Sequence, residues 1–256
     1  MRILAIGDVT SPRGVKHLED NLWRVRDREK IDLCIVNAEN ASFITGASRE
    51  IAERLFSAGA DVLTGGNHTL RNKSVYSYLD ECDKMLRPIN FGPAAAGVGY
   101  TVVDVDGYKV MVINAMGTAY IDPVLNSPYD YIDAALAREA GNYDFAVLDF
   151  HAEATGEKVA LGYAYDGKIN IVFGTHTHVP TADLTVLPHG TGYVTDLGMC
   201  GESGGVLGMD SATVVHKMKT RLPDKFIAAG GEPTADGVIF TLESSGKVSD
   251  IKRIKF

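Results

Sequence analysis

The chain has 256 residues, 45% of them hydrophobic, and its 25 Lys and Arg against 33 Asp and Glu leave a formal net charge of −8. That length and composition allow one substantial buried core, and a single domain over residues 1–256 is expected. The negative balance disfavours non-specific binding to a nucleic-acid backbone or an anionic membrane, because both would repel the chain overall, although a locally positive pocket could still hold a phosphate.

In chain order, residues 3–6 form a short apolar run closed by Gly7-Asp8, the pattern of a buried strand ending in a turn. Residues 14–29 place Val15, Leu18, Leu22 and Val25 at helical spacing. A second run, 33–36, leads into Asn37-Ala38-Glu39-Asn40, and residues 48–58 carry Ile51, Ala52, Leu55 and Phe56 as a second helix. A third run at 62–63 ends in Gly65-Gly66-Asn67-His68. Beyond residue 98 the texture shifts to strands with fewer helices between them: 100–104, 109–114, 145–150 and 169–173, with 238–242 and 248–254 as a closing hairpin. A helix is expected from about 210 to 221, to pack on the core or serve an oligomer interface. Segments 87–99 and 198–208, rich in Gly, are expected as long loops over a site. This mixture fits an α/β fold of two packed mixed sheets with helices outside, a four-layer α-β-β-α sandwich.

Cys34, Cys82 and Cys200 are odd in number, widely spaced and form no CxxC pair, which points to neither a disulfide framework nor a thiolate zinc site. A reducing cytoplasm is the expected location. No apolar run approaches the roughly 20 residues that span a bilayer, and Met1-Arg2 leads straight into a strand rather than a signal-type apolar region. No membrane partner and no stable nucleic-acid complex are expected.

The chemistry lies just past the strand ends, where sheet enzymes place their polar groups, and five such placements are expected to converge at one edge of a sheet. Thr175-His176-Thr177-His178 sets two imidazoles two residues apart, able to address one or two ions about 3.5–4 Å apart. An HxH pair alone is a weak signal; the preceding strand, Gly174 and a third post-strand histidine, His151, strengthen it. Asp8, taken alone, is an ordinary turn residue. Glu39 has no obvious structural task between Ala38 and Asn40, and a carboxylate with one oxygen on each of two cations would hold a metal pair together. Asn67 offers a neutral carbonyl oxygen, which leaves the adjacent His68 free for proton transfer. Asp149 and Asp196 are candidates for carboxylates that fix histidine tautomers, or equally for turn residues.

The ordered series Gly7-Asp8, Asn37-Ala38-Glu39-Asn40, Gly66-Asn67-His68, Asp149-Phe150-His151-Ala152-Glu153 and Gly174-Thr175-His176-Thr177-His178 resembles the calcineurin-like metallophosphoesterase superfamily, and within it the YmdB-like branch, which hydrolyses cyclic nucleotides and related phosphodiesters. The resemblance implies that Asp8, Asn40 and His178 hold one metal, that Asn67, His151 and His176 hold the other, and that Glu39 bridges them. It departs from the superfamily pattern at Asp8-Val9-Thr10, where a histidine is usual; Asn40 can bring an oxygen to the same ion. Thr69-Leu70-Arg71 follows His68 in place of an acidic residue, so the histidine could lack a carboxylate partner, and Arg71 could contact phosphate or simply face solvent.

The expected enzyme is therefore a binuclear metal-dependent phosphodiesterase acting on cyclic nucleotides, 2′,3′-cyclic first and 3′,5′-cyclic as an extension, or on related phosphodiesters, through a metal-activated hydroxide, with His68 as proton donor. The N/O donor set suits iron or manganese, with magnesium an alternative. Its partner would be a small phosphodiester such as a cyclic nucleotide, with homo-oligomer formation left open. Rival expectations are a phosphomonoesterase or protein phosphatase with the same centre, or a regulatory protein that binds a phosphorylated ligand or RNA end with little turnover.

Overall fold

Alternation along the strands divides the apolar side chains among three cores, and the computed structural model, which describes residues 1–42, 46–225 and 227–256, shows how. In chain order the elements are β1 (Arg2–Ile6), β2 (Asp8–Val9), α1 (Pro12–Glu29), β3 (Leu33–Asn37), α2 (Arg49–Ala58), β4 (Val62–Thr64), α3 (Tyr76–Glu81), β5 (Tyr100–Val105), β6 (Tyr108–Met116), α4 (Pro128–Arg138), β7 (Phe145–His151), α5 (Thr155–Ala164), β8 (Ile171–Thr175), β9 (Thr185–Val186), β10 (Gly192–Val194), β11 (Met199–Glu202), α6 (Ser211–Thr220), β12 (Pro233–Leu242) and β13 (Val248–Lys255). One sheet runs β2-β11-β12-β1-β3-β4 with β13 paired to β12; the other runs β5-β6-β7-β8-β10-β9.

On β1, Ile3 and Ala5 face the second sheet while Leu4 and Ile6 face α1 and α2; on β3, Leu33 and Ile35 divide from Cys34 and Val36 in the same way. The second sheet mirrors this. Phe145 and Val147 of β7 point at the first sheet, and Ala146, Leu148 and Phe150 meet Ile132 of α4 and Leu161 of α5 on the far side. A period of two on strands buried on both faces thus builds an α-β-β-α sandwich.

Helix boundaries follow local chemistry. Ser11 caps α1 by accepting from the Gly14 amide, with Pro12 at the first helical position, and Ser48 caps α2 through the Ile51 amide. The closing hairpin is present as antiparallel β12 and β13. Two expectations need correction. The segment 198–208 is not loop throughout, because Met199–Glu202 pairs as β11 with β12 and β2. The polar strand ends belong to the edges of two sheets rather than one: β1, β3 and β4 in the first, β7 and β8 in the second. Among the described residues, no helix is long and apolar enough to cross a membrane.

Candidate metal centre

Parallel pairing of β1 with β3 and of β3 with β4 brings Asp8, Glu39, Asn40 and Asn67 to one sheet edge, and parallel β7 and β8 bring His151, His176 and His178 to the other. Side chains beneath them stitch the two edges together. Asn37 donates from Nδ2 to Asp149 Oδ2 at 2.9 Å and to Thr175 Oγ1 at 3.2 Å, and Thr64 Oγ1 donates to the same Asp149 oxygen at 2.5 Å. Above, the His176 amide donates to Asp8 Oδ2 at 3.0 Å. Tight backbone makes room: a Cβ on Gly66 would stand 2.1 Å from the His151 ring. His176 and His178 have φ of 99° and 64°, so both imidazoles are presented from strained, left-handed backbone.

All seven expected donors converge. His151 Nε2 lies 3.1 Å from Asn67 Oδ1, 3.1 Å from His176 Nδ1 and 3.8 Å from Glu39 Oε1. Asp8 Oδ1 is 3.7 Å from His151 Nδ1 and 3.8 Å from His178 Nε2, while the Asn40 amide nitrogen sits 3.3 Å from His178 Nε2. His68 flanks the group, its Nδ1 at 2.7 Å from Asn40 Oδ1 and 3.3 Å from Glu39 Oε1, so it does have a carboxylate neighbour. Arg71 is exposed in a turn rather than on a helix.

Three further residues orient the histidines. Thr175 Oγ1 donates to Asp149 Oδ1 at 2.7 Å and lies 3.0 Å from His151 Nδ1, so Asp149 acts on the ring through a hydroxyl. Glu153 Oε2 stands 3.0 Å from His176 Nε2, which turns Nδ1 of that ring toward the centre. Asp196, by contrast, accepts from Lys158 Nζ, the Thr177 amide and hydroxyl and the Gly198 amide, so it holds the loop and touches no imidazole. In the sequence Thr175 and Glu153 stand out only by their adjacency to His176 and His151, ligand-type residues, and that adjacency is the one signal available.

The electrostatics fit a cationic guest. Asp8 and Glu39 are fully buried, and Asp8 Oδ1 has no hydrogen-bond partner among the described residues. Burial, foremost, drives Glu39 well above the usual carboxylate range and Asp8 up to about 7, and it holds His151 well below the ordinary imidazole value. Bound cations would restore the ionised state of the paired carboxylates and use the imidazoles in the neutral form that burial already favours. Among the described residues no group of three or more His, Cys, Asp and Glu stands already closed up as a metal cage, and the candidate donor set also includes the Asn40 and Asn67 side-chain oxygens.

Two sheets sandwiched between helices, with N/O donors meeting where the edges of the two sheets face each other, define a metallophosphoesterase-type architecture. The chain belongs to the YmdB-like protein family, whose model matches residues 4–254. It is 40% identical over 247 residues to a 2′,3′-cyclic-nucleotide 2′-phosphodiesterase of Bacillus subtilis, an alignment covering 96% of this chain and 93% of that one. Among solved structures, it resembles a hypothetical protein from Thermus thermophilus at TM-score 0.91 and 36% identity, over 100% and 99% of the two chains. It also resembles a phosphatase from Mycoplasma pneumoniae at TM-score 0.92 and 31% identity, over 100% of this chain and 93% of that one.

Proposed function

We propose that this protein is a phosphoric diester hydrolase that opens 2′,3′-cyclic nucleotides, with 3′,5′-cyclic nucleotides as secondary substrates, using two divalent cations. The observation that carries the reading is the buried donor cluster, above all the unpartnered Asp8 Oδ1 facing the His151 and His178 imidazoles at 3.7 and 3.8 Å, with a second buried carboxylate, Glu39, 3.8 Å from His151 Nε2. The family membership and the diesterase relative supply the class of substrate.

Asp8, Asn40 and His178 would hold one cation and Asn67, His151 and His176 the other, with Glu39 shared; iron or manganese suits the donors, with magnesium as the alternative. When bound, such a pair supplies charge that offsets the phosphoryl oxygens and acidifies water near neutral pH. The chain's own groups do the rest. Thr175 and Glu153 keep ring nitrogen lone pairs of His151 and His176 aimed inward, so neither of these two rings need reorganise during the reaction. His68, half-buried at the mouth, is pushed down to about 4 chiefly by burial and then by the Arg71 cation, and is neutral in the free site. An anionic phosphate beside it raises that value, the condition under which His68 delivers a proton to the departing ribose oxygen.

The test is hydrolysis of 2′,3′-cAMP, 3′,5′-cAMP, bis-p-nitrophenyl phosphate and p-nitrophenyl phosphate by protein stripped of metal and reloaded with Mn²⁺, beside Glu39→Gln. Metal-dependent diester cleavage lost in the variant is expected. Turnover of the monoester alone, or metal uptake without any turnover, would overturn the diesterase reading.

A further inference from the structure

Over the donor cluster lies a cavity of about 310 Å³ whose floor includes Asn40, His68, His176 and His178. Its wall comes from a distant stretch of chain and is apolar: Val206, Leu207 and Met209 on the turn after β11, and Val214 and Met218 on α6. Among the described residues lining it there is no Asp, Glu, Lys or Arg.

The turn is bent against its own side chain. Val206 and Met209 exchange both backbone hydrogen bonds, at 2.8 and 3.0 Å, and the two residues between them, Leu207 and Gly208, have φ of 51° and 79°. A two-residue hairpin turn with positive φ at both central positions favours Asn-Gly, and a leucine there carries a backbone cost. That leucine gains no core burial in exchange, since it is 45% exposed, and Met218 across the cavity is 64% exposed. Strained backbone holding an apolar side chain open to solvent, beside a polar donor cluster, is the signature of a surface that a ligand covers.

Continuity with the floor restricts that ligand to one with a phosphate at its first end and a flat, uncharged group at its second. The volume matches the small end of ligand pockets, and the wall has no cation for a further phosphate. Thioethers such as Met209 and Met218 pack well on aromatic rings and adapt to their outlines. We propose that residues 206–209 with Val214 and Met218 form the nucleobase subsite of the enzyme; this rests on the diesterase reading and narrows it to monomeric cyclic nucleotides, with the base gripped by shape rather than by base-specific hydrogen bonds.

The experiment measures adenosine binding by calorimetry, with no phosphate present, for the full chain and for Leu207→Asn and Met218→Ala. The asparagine suits the turn better than leucine does, so loss of fold does not confound it. Weakening of about fivefold to tenfold in each variant is expected. In parallel, the ratio of kcat/KM for 2′,3′-cAMP to that for a base-free methyl ribofuranoside 2,3-cyclic phosphate should fall by a similar factor, through KM. Adenosine that does not bind, or binds all three proteins alike, overturns the subsite, as does a change of sedimentation in the variants with adenosine binding unchanged, which would make the wall an interface between copies. Hydrolysis of both cyclic phosphates by the unsubstituted chain in those cases leaves the diesterase reading standing. Adenosine bound at the wall with neither compound hydrolysed does the reverse.

Discussion

A hydroxyl and a carboxylate together decide which nitrogen of His151 faces the donor cluster. Thr175 spends its proton on Asp149 Oδ1, so its oxygen is left to accept from Nδ1 of His151, and the Nε2 lone pair must point at Asn67 and His176. Burial raises Asp149 to about 7, while hydrogen bonds from Thr64, Asn37 and Thr175 pull it back toward the charged form. Thr175→Val keeps the shape and removes the hydroxyl. Manganese affinity, measured by competition with a fluorescent chelator, should fall about 10- to 100-fold, as for other groups that orient a ligating histidine; an unchanged affinity would show that the ring is held by packing alone.

At the scale of elements, two ion pairs of different depth do different work. Lys158 on α5 reaches Asp196 at 2.7 Å with both side chains buried, and the same carboxylate accepts from the Thr177 amide and hydroxyl between the two loop histidines. Lys158→Met leaves Asp196 buried without its cation and should destabilise the fold by about 3–5 kcal/mol in urea titrations, with metal binding lost before global unfolding. Glu19 of α1 and Arg54 of α2 meet at 2.7 Å near the surface, and the hydrogen bond from Arg54 holds Glu19 below the usual carboxylate value. A depressed folded pKa means that the contribution is present above the unfolded value and is lost as pH falls through the folded one. Glu19→Gln should therefore cost about 0.2–1 kcal/mol at pH 7 and less at pH 3. An equal difference at both pH values would assign the effect to packing.

For the whole molecule, the donor cluster is also a joint, since its oxygens and nitrogens come from both sheets. Cations bound there stabilise the folded chain by mass action, about 2.7 kcal/mol at a free concentration one hundred times Kd. In a chain of 256 residues that corresponds to a rise in Tm of about 5–10 °C over chelator-treated protein. Glu39→Gln should lose most of this rise. A Tm indifferent to Mn²⁺ and to chelator would place no cation at the joint.

The sequence alone marked the longer strands, the first two helices and α6, and through the family resemblance it named seven candidate donors, because apolar runs closed by glycine or polar residues are local patterns and a ligand-type side chain just past such a run can be noticed wherever the strand goes. Nothing local distinguishes the sheets, so only the tertiary structure decided that the donors face each other across two edges. The same limit hid the partners of the site. Asn37 finds Asp149 across 112 positions, and Glu153 and Thr175 acquire meaning only from the ring beside each. It hid part of the cavity wall as well: a loop over a site was legible at 198–208, but that Leu207 and Met218 of α6 line one wall above the histidines is set by long-range packing, which no sequence window contains.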